Sequence, residues 1–234
     1  MYNNKKILAI IPARGGSKGI ADKNIMPICG KPLIAYTIDA GLKSKYIDEI
    51  IVSTDSHAIR EVAAMYGANV PFLRPEELSN DGASSIDVVL HVIDFYKNNN
   101  KTFDYVVLLQ PTSPLRTSQH IDGAIEKLLN SNETSLVSVC EADQSPILMR
   151  NIENDKLKEV ISFEGKNLRR QDLPTFYILN GALYINSTDM LAHQNKFVCE
   201  NTIPYVMDKE SSVDIDTMLD AKLVELIIKE NANV

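Results

Sequence analysis

Ile7-Leu-Ala-Ile-Ile11 runs directly into Pro12-Ala-Arg-Gly-Gly-Ser-Lys-Gly-Ile-Ala-Asp-Lys-Asn24. Five consecutive aliphatic residues with no polar alternation suit a strand covered on both faces, as in a parallel sheet. The polar, glycine-rich stretch behind them then leaves the C-terminal end of that strand, where open α/β sheets receive ligands. Working outward, Gly30-Lys-Pro32 leads into Leu33-Ile-Ala-Tyr-Thr-Ile38. Leu33, Ile34, Ile38 and Leu42 recur at helical spacing, and Pro32 suits a first helical position. Ile50-Ile-Val52 predicts a strand ended by Ser53-Thr-Asp55, residues 56–66 a helix closed by Gly67, and Ile86–Tyr96 a helix ended by Asn98-Asn-Asn100. Tyr105–Leu109 and Ser135–Val139 are further buried strands, on either side of a helix at 117–129. This alternation predicts an α/β three-layer sandwich with a mainly parallel, Rossmann-like sheet.

Between 142 and 176 the pattern breaks. Gln144-Ser-Pro146, Asn151–Lys158 and Gly165–Pro174 are rich in polar and turn residues, which predicts an irregular arm or lid. Tyr177–Ile185, Ile203–Met207 and a helix over Thr217–Lys229 return to the core. The expectation is one domain over 1–234, with 142–176 as an excursion from it.

Composition narrows the class. Of 234 residues, 44% are hydrophobic, and a chain this long buries roughly 70% of its unfolded surface without disulfides or structural metal. Lys and Arg number 24 against 31 Asp and Glu, a net charge of −7, which disfavours nucleic acid and anionic membranes as partners. No apolar run approaches the roughly 20 residues of a membrane span. Ile7–Ile11 is too short for a signal core, and Arg14 and Lys18 are the wrong sequel. Cys29, Cys140 and Cys199 are far apart with no CxxC, so they read as reduced thiols of a cytoplasmic protein.

The first loop carries chemistry. Gly15, Gly16 and Gly19 let backbone amides turn inward and approach an anion. Arg14, Lys18 and Lys23 place three cations within ten residues of an otherwise acidic chain. Charge-assisted hydrogen bonds contribute roughly 1.5–3 kcal/mol each, so the cluster suits a polyphosphate. A plain solvated turn is the alternative. Two familiar phosphate motifs are absent: five residues after Gly15 and Gly16 stand Ile20 and Ala21, not a Gly-Lys pair, and the adjacent glycines break G-x-G-x-x-G.

Pro12-Ala-Arg-Gly-Gly-Ser-Lys-Gly19, Lys23-Asn24 and Gly30-Lys-Pro-Leu33 together resemble the opening of the cytidylyltransferases that activate sialic acids and related nonulosonates. The resemblance continues through Leu109-Gln-Pro-Thr-Ser-Pro-Leu-Arg116, Arg170-Gln-Asp-Leu-Pro174, Asn180-Gly-Ala-Leu-Tyr184 and Ser212-Val-Asp-Ile-Asp216. These blocks stand in the family's order over residues 7–216. What the resemblance implies is transfer of CMP from CTP to the anomeric hydroxyl of a nonulosonic acid, with Mg²⁺ (or Mn²⁺) as cofactor and a homodimer formed through the arm. A sister enzyme acting on Kdo or another base or sugar, and a non-catalytic sugar-nucleotide binding module, are the alternatives.

Each remaining block has two readings. Asp214 and Asp216 would point to one face if Val213–Ile215 is extended, which suits Mg²⁺; equally, Asp216 could cap the helix that follows. The resemblance assigns the pair to the metal. Gln110-Pro-Thr-Ser-Pro114 is a stiff neutral loop suited to sugar hydroxyls, or a plain strand-to-helix turn capped by Thr117 or Ser118. The resemblance sets Gln110, Thr112 and Ser113 along the sugar pocket. Arg170 could grip a sugar carboxylate bidentately, with Gln171 beside it, and the resemblance lets it reach a neighbouring subunit. Tyr184 matches its block as an apolar wall, whereas Phe197 matches by spacing and suits core packing. Ser84 or Ser85 could cap a helix. The resemblance implies instead that Ser84 and Asn24 read the cytosine edge, with Arg74 as a further candidate. The CTP-binding set is thus Arg14, Gly15, Gly16, Ser17, Lys18, Lys23, Asn24, Arg74 and Ser84, and the catalytic set Arg14, Lys23, Asp214 and Asp216. Asp55 is at most a supporting residue. His57, His91 and His193 read as ordinary helix residues, and no side chain stands out as general base.

Overall fold

The computed structural model describes residues 4–16, 19–80, 82–161 and 173–232. In chain order its elements are β1 (Ile7–Pro12), β2 (Pro27–Ile28), β3 (Lys31–Pro32), α1 (Leu33–Leu42), β4 (Glu49–Ser53), α2 (His57–Met65), α3 (Ser85–Asn98), β5 (Tyr105–Leu108), α4 (Ser118–Leu129) and β6 (Ser135–Glu141). There follow β7 (Arg150–Glu153), β8 (Lys156–Glu159), β9 (Tyr177–Ser187), α5 (Thr188–Gln194), β10 (Ile203–Val206) and α6 (Met218–Asn231). Six strands form one sheet in the order β10-β6-β9-β5-β1-β4. Every pairing is parallel except those of β9, which runs antiparallel to β5 and β6.

Residues of β1 alternate between two apolar layers. Ile7, Ala9 and Ile11 pack with Ile34 and Ile38 of α1, Ile59 of α2, and Ile121 and Ile125 of α4. Leu8 and Ile10 face the other way, onto Val89, Val92 and Tyr96 of α3 and Leu191 of α5. This two-sided burial is why the run shows no period of two. All five aliphatics are 0% exposed, and burying each leucine or isoleucine among them is worth about 1.5–3 kcal/mol. The three layers match the expected sandwich. A third cluster joins Ile20 and Ile28 of the first loop to Ile215 and Val224, docking α6 beside that loop.

Strand-to-helix turns are sealed by side-chain caps. Ser56 caps α2, Ser84 caps α3, Thr117 caps α4 and Thr217 caps α6, each accepting a backbone N–H of the first turn. Pro32 sits just before α1 rather than inside its first turn. Over 142–161 the chain is more regular than expected. Pro146–Leu148 forms a 3₁₀ turn, and β7 and β8 pair as an antiparallel hairpin with Arg150 opposite Glu159. All eight strand residues of this hairpin are exposed, so no alternation marks them. The chain leaves β1 by α1 to reach β4 on one side, then crosses to β5 on the other. The crevice outside the carboxyl ends of these strands is therefore the switch point where such sheets bind ligands.

Candidate active site

Three loops meet at that crevice. The first leaves β1, and Ala13 N–H donates to Ser53 O at 2.9 Å, extending the β1–β4 ladder. Gly15 N–H donates to Asp55 Oδ1 at 2.9 Å. A Cβ at Gly15 would lie 3.1 Å from Ser56 Cβ, so the backbone passes close to the turn after β4. Asn24 is buried, and its Nδ2 donates to Arg14 O at 3.0 Å, which pins the loop at the arginine itself. Lys23 Nζ donates to Ile215 O at 2.9 Å and pairs with Asp216 Oδ1 at 3.2 Å. Asp216 is largely exposed, so the pair is worth about 0–1 kcal/mol and serves mainly to place the lysine.

Arg74 lies in the segment between α2 and α3 and packs against the turn after β4. Its backbone N–H donates to Thr54 O, Nη2 to Ser53 O at 3.0 Å, and Nη1 to Leu78 O at 3.4 Å. Its buried Nε finds no acceptor among the described residues. Burial pushes the guanidinium down from its ordinary pKa; Asp55 opposes this and Arg14 adds to it. Arg14 and Arg74 therefore repel one another across the crevice, a repulsion that a bound anion relieves.

The third loop follows β5. Ile215 N–H donates to Thr112 O at 2.8 Å, and Ser113 Oγ donates to Asp214 Oδ1 at 3.4 Å. Residues 213–215 form no sheet strand; Lys23 pairs with Asp216, while Asp214 is held by Ser113 and feels the Lys23 charge. Burial raises the Asp214 carboxyl above the usual carboxylate range; the Asp216 charge adds to this, while Thr112, Lys23 and Ser113 oppose it. The cap of α6 is Thr217, whose Oγ1 accepts Asp220 N–H while Asp220 reaches back to Thr217 N–H. Asp216 is thus not the cap, and its carboxylate faces Lys23 instead.

Arg14, Lys23, Asn24, Arg74, Ser84, Gln110, Thr112 and Asp216 line one cleft of about 490 Å³. Leu78, Asn80, Ala83, Ser85 and Val88 complete much of its wall, and nothing in their local sequence marks them. Ser84 Oγ is engaged in its own helix cap, accepting Asp87 N–H and donating to Asp87 Oδ2 at 2.5 Å, so the capping alternative describes its side chain. Asp214, Ser113 and Tyr184 are not among the lining residues. Asp214 is tied to the cleft through Ser113, and its charge, after burial, helps raise the Tyr184 hydroxyl pKa. Phe197 packs against the Tyr184 ring at 5.4 Å between centroids, in keeping with its packing role. Ser17, Lys18, Arg170 and Gln171 lie outside the described residues.

A roomier hollow of about 790 Å³ opens at the other end of the strands, between α3 and α5. It sits by the N-terminal end of β5, away from the switch point, and its Lys5 and Lys101 are already paired with Asp104 and Glu49. The smaller cleft gathers the chemistry. It presents Arg14, Lys23 and Arg74 together with Asp216, and Asp214 lies just outside its lining. Among the described residues no group of three or more His, Cys, Asp or Glu could hold a metal by itself.

The fold and cleft define a nucleotide-binding α/β protein. Comparison with known proteins is more specific. The family described as cytidylyltransferase matches residues 8–231. The CMP-N,N'-diacetyllegionaminic acid synthase of Legionella pneumophila is 39% identical over 228 residues, covering 97% of each chain. The N-acylneuraminate cytidylyltransferase of Escherichia coli is 37% identical over 230 residues, 97% of this chain but 53% of that protein, so this chain spans about half its length. A CMP:2-keto-3-deoxy-manno-octonic acid synthetase solved with CTP superposes with a TM-score of 0.73 at 15% identity, covering 97% of this chain and 99% of that one, a likeness of fold. The chain belongs to the cytidylyltransferase family.

Proposed function

We propose that this chain transfers CMP from CTP to the anomeric hydroxyl of a nonulosonic acid and releases pyrophosphate. One observation carries the reading: Arg14, Lys23, Arg74 and Asp216 converge on a single cleft at the carboxyl ends of β1, β4 and β5, in a chain 39% identical to a CMP-diacetyllegionaminic acid synthase. The names of the two relatives extend the substrate class to N-acylneuraminate and its analogues.

The residues divide the work. Arg14 and Lys23 hold the triphosphate, and Arg74 sits deeper, by the turn after β4. Asn24 keeps the Arg14 backbone in place, and Gly15 and Gly16 let the chain approach the phosphates. Gln110 and Thr112 form a neutral surface for the sugar, with the buried Ser113 behind them on Asp214. Arg170 and Gln171 are proposed for its carboxylate, with Tyr184 as a wall. The displacement is in line, and the protein's contribution is positioning and neutralisation of charge on the transferring and leaving groups. Asp214 and Asp216 fit Mg²⁺, which takes one or two carboxylates together with substrate phosphates and water. When bound, the ion neutralises phosphate charge and lowers the pKa of a coordinated oxygen. Burial is the main cause of the raised Asp214 carboxyl, and the neighbouring Asp216 charge adds to it.

We also propose a homodimer. Ile152, Leu157 and Val160 of the hairpin region and Tyr177, Ile178 and Leu179 of β9 are all exposed, and a patch of this kind suits a second copy. Among the described residues no helix is long and apolar enough to cross a membrane. The test is pyrophosphate release from CTP and Mg²⁺ with a panel of acids: N-acetylneuraminic, legionaminic, pseudaminic and the eight-carbon Kdo. Release with a nine-carbon acid supports the reading. Release with Kdo alone, or with none while CTP binds, overturns it.

A further inference from the structure

Arg116 is the bulkiest side chain among the described residues with under 2% exposure. No carboxylate among them pairs with it. Its Nη1 donates to Gln110 O at 3.1 Å and to Ala182 O at 2.9 Å, while Nε and Nη2 find no acceptor. Burial pushes its pKa down to about 9. An unpaired buried cation is costly, and an apolar side chain of similar volume would fill the space without that penalty. Packing alone therefore does not account for it.

Its two acceptors explain it better. Gln110 follows β5 and lines the cleft; Ala182 belongs to β9, next to Gly181. Gly181 has φ +74°, and a Cβ there would come within 3.3 Å of Gln110 Oε1. The β6–β9 register shifts at this place. Gln110 O also accepts from the buried Thr37 Oγ1 at 3.4 Å. Two and three residues on, Thr112 O and Ser113 Oγ hold the segment that carries Asp214. One guanidinium nitrogen thus ties the strand bulge to the loop that joins Gln110 to the acidic pair.

We infer that Arg116 is a positioning residue: without touching substrate, its guanidinium clamps the Gln110 loop to β9 and sets the half of the cleft that receives the acid acceptor. The inference rests on the proposed function in taking that half for the sugar acid. The variants are Arg116→Met, neutral and of similar length, and Arg116→Lys, which keeps a donor. Steady-state kinetics should show Arg116→Met raising KM for the acid between about 10- and 100-fold, as a displaced loop would, with KM for CTP little changed. Arg116→Lys should recover part of the loss. A lowered Tm with both KM values unchanged, or an equal rise in both, overturns the inference. Should Arg116→Met not fold, Arg116→Lys decides by the same split. If the wild-type chain releases no pyrophosphate, the functional reading fails by itself, and deuterium uptake then judges the clamp. Faster exchange in 110–116 but not in 7–12 supports it, and unchanged exchange in 110–116 refutes it.

Discussion

Gly19→Ala separates the two halves of the cleft by a known amount. A Cβ on Gly19 would stand 2.8 Å from the backbone oxygen of Asp216, and ordinary contact begins near 3.4 Å, so the segments must part by about 0.6 Å. Neither side yields cheaply. Lys23 grips Ile215 O and Asp216 Oδ1 from within the same loop, and Ile20 is packed with Ile215 in the apolar cluster under α6. Overpacking of this kind costs about 1–3 kcal/mol, which in a chain this size lowers Tm by about 2–12 °C. The larger effect falls on chemistry. A 1 Å misplacement can cost on the order of 10²-fold, so kcat/KM for CTP should fall by about tenfold. Lys43→Ala is the control, because Lys43 is exposed at the end of α1 and does not line the cleft, and it should stay within about threefold of wild type, as surface substitutions do. Thermal melts and steady-state kinetics at saturating acid read both quantities. Wild-type kinetics in Gly19→Ala, or equal damage from Lys43→Ala, would refute the idea that contact between the first loop and the acidic segment sets the geometry.

Arg14→Ala should lower kcat/KM for CTP by on the order of 10²-fold with Tm near wild type, as loss of one preorganised donor does; unchanged kinetics would remove its phosphate role. Asp214→Asn should abolish turnover without lowering Tm in metal-free buffer. The raised carboxyl favours the folded state when protonated, so its penalty appears as pH rises through that value, and the amide removes it. Turnover retained in that variant would end its metal assignment. His120 Nδ1 accepts Thr117 N–H in the α4 cap, and burial lowers its pKa, with Asp208 opposing and Arg116 adding. The unfolded chain then takes up a proton that the folded one resists, so stability falls as pH drops below about 6.5. His120→Gln, which can keep the cap, should flatten that fall in Tm. A variant as pH-sensitive as wild type would contradict it.

The sheet was legible because its central strand is buried on both faces, which leaves an unbroken aliphatic run at Ile7–Ile11. The direction of β9 was not, since Tyr177–Ile185 reads the same in either orientation and only its neighbours decide. The hairpin of β7 and β8 escaped notice because no residue in it is buried, and without burial there is no alternation to find. Much of the cleft could be anticipated, as its residues follow the carboxyl ends of strands in recognisable blocks. What sequence could not convey is how side chains share their roles. Asn24 holds Arg14 O, Ser84 caps α3, and Asp55 takes the Gly15 amide. Arg116 ends the block Leu109–Arg116, where nothing in the sequence marks a task for it. Its task depends on two carbonyls, one of them 66 residues away.

The most direct measurement is a crystal structure with CTP and Mg²⁺. The triphosphate should lie on Arg14 and Lys23, with the ion shared between its phosphates and the carboxylates of Asp214 and Asp216. A nucleotide seated in the hollow between α3 and α5, or an ion held away from both aspartates, would contradict the account.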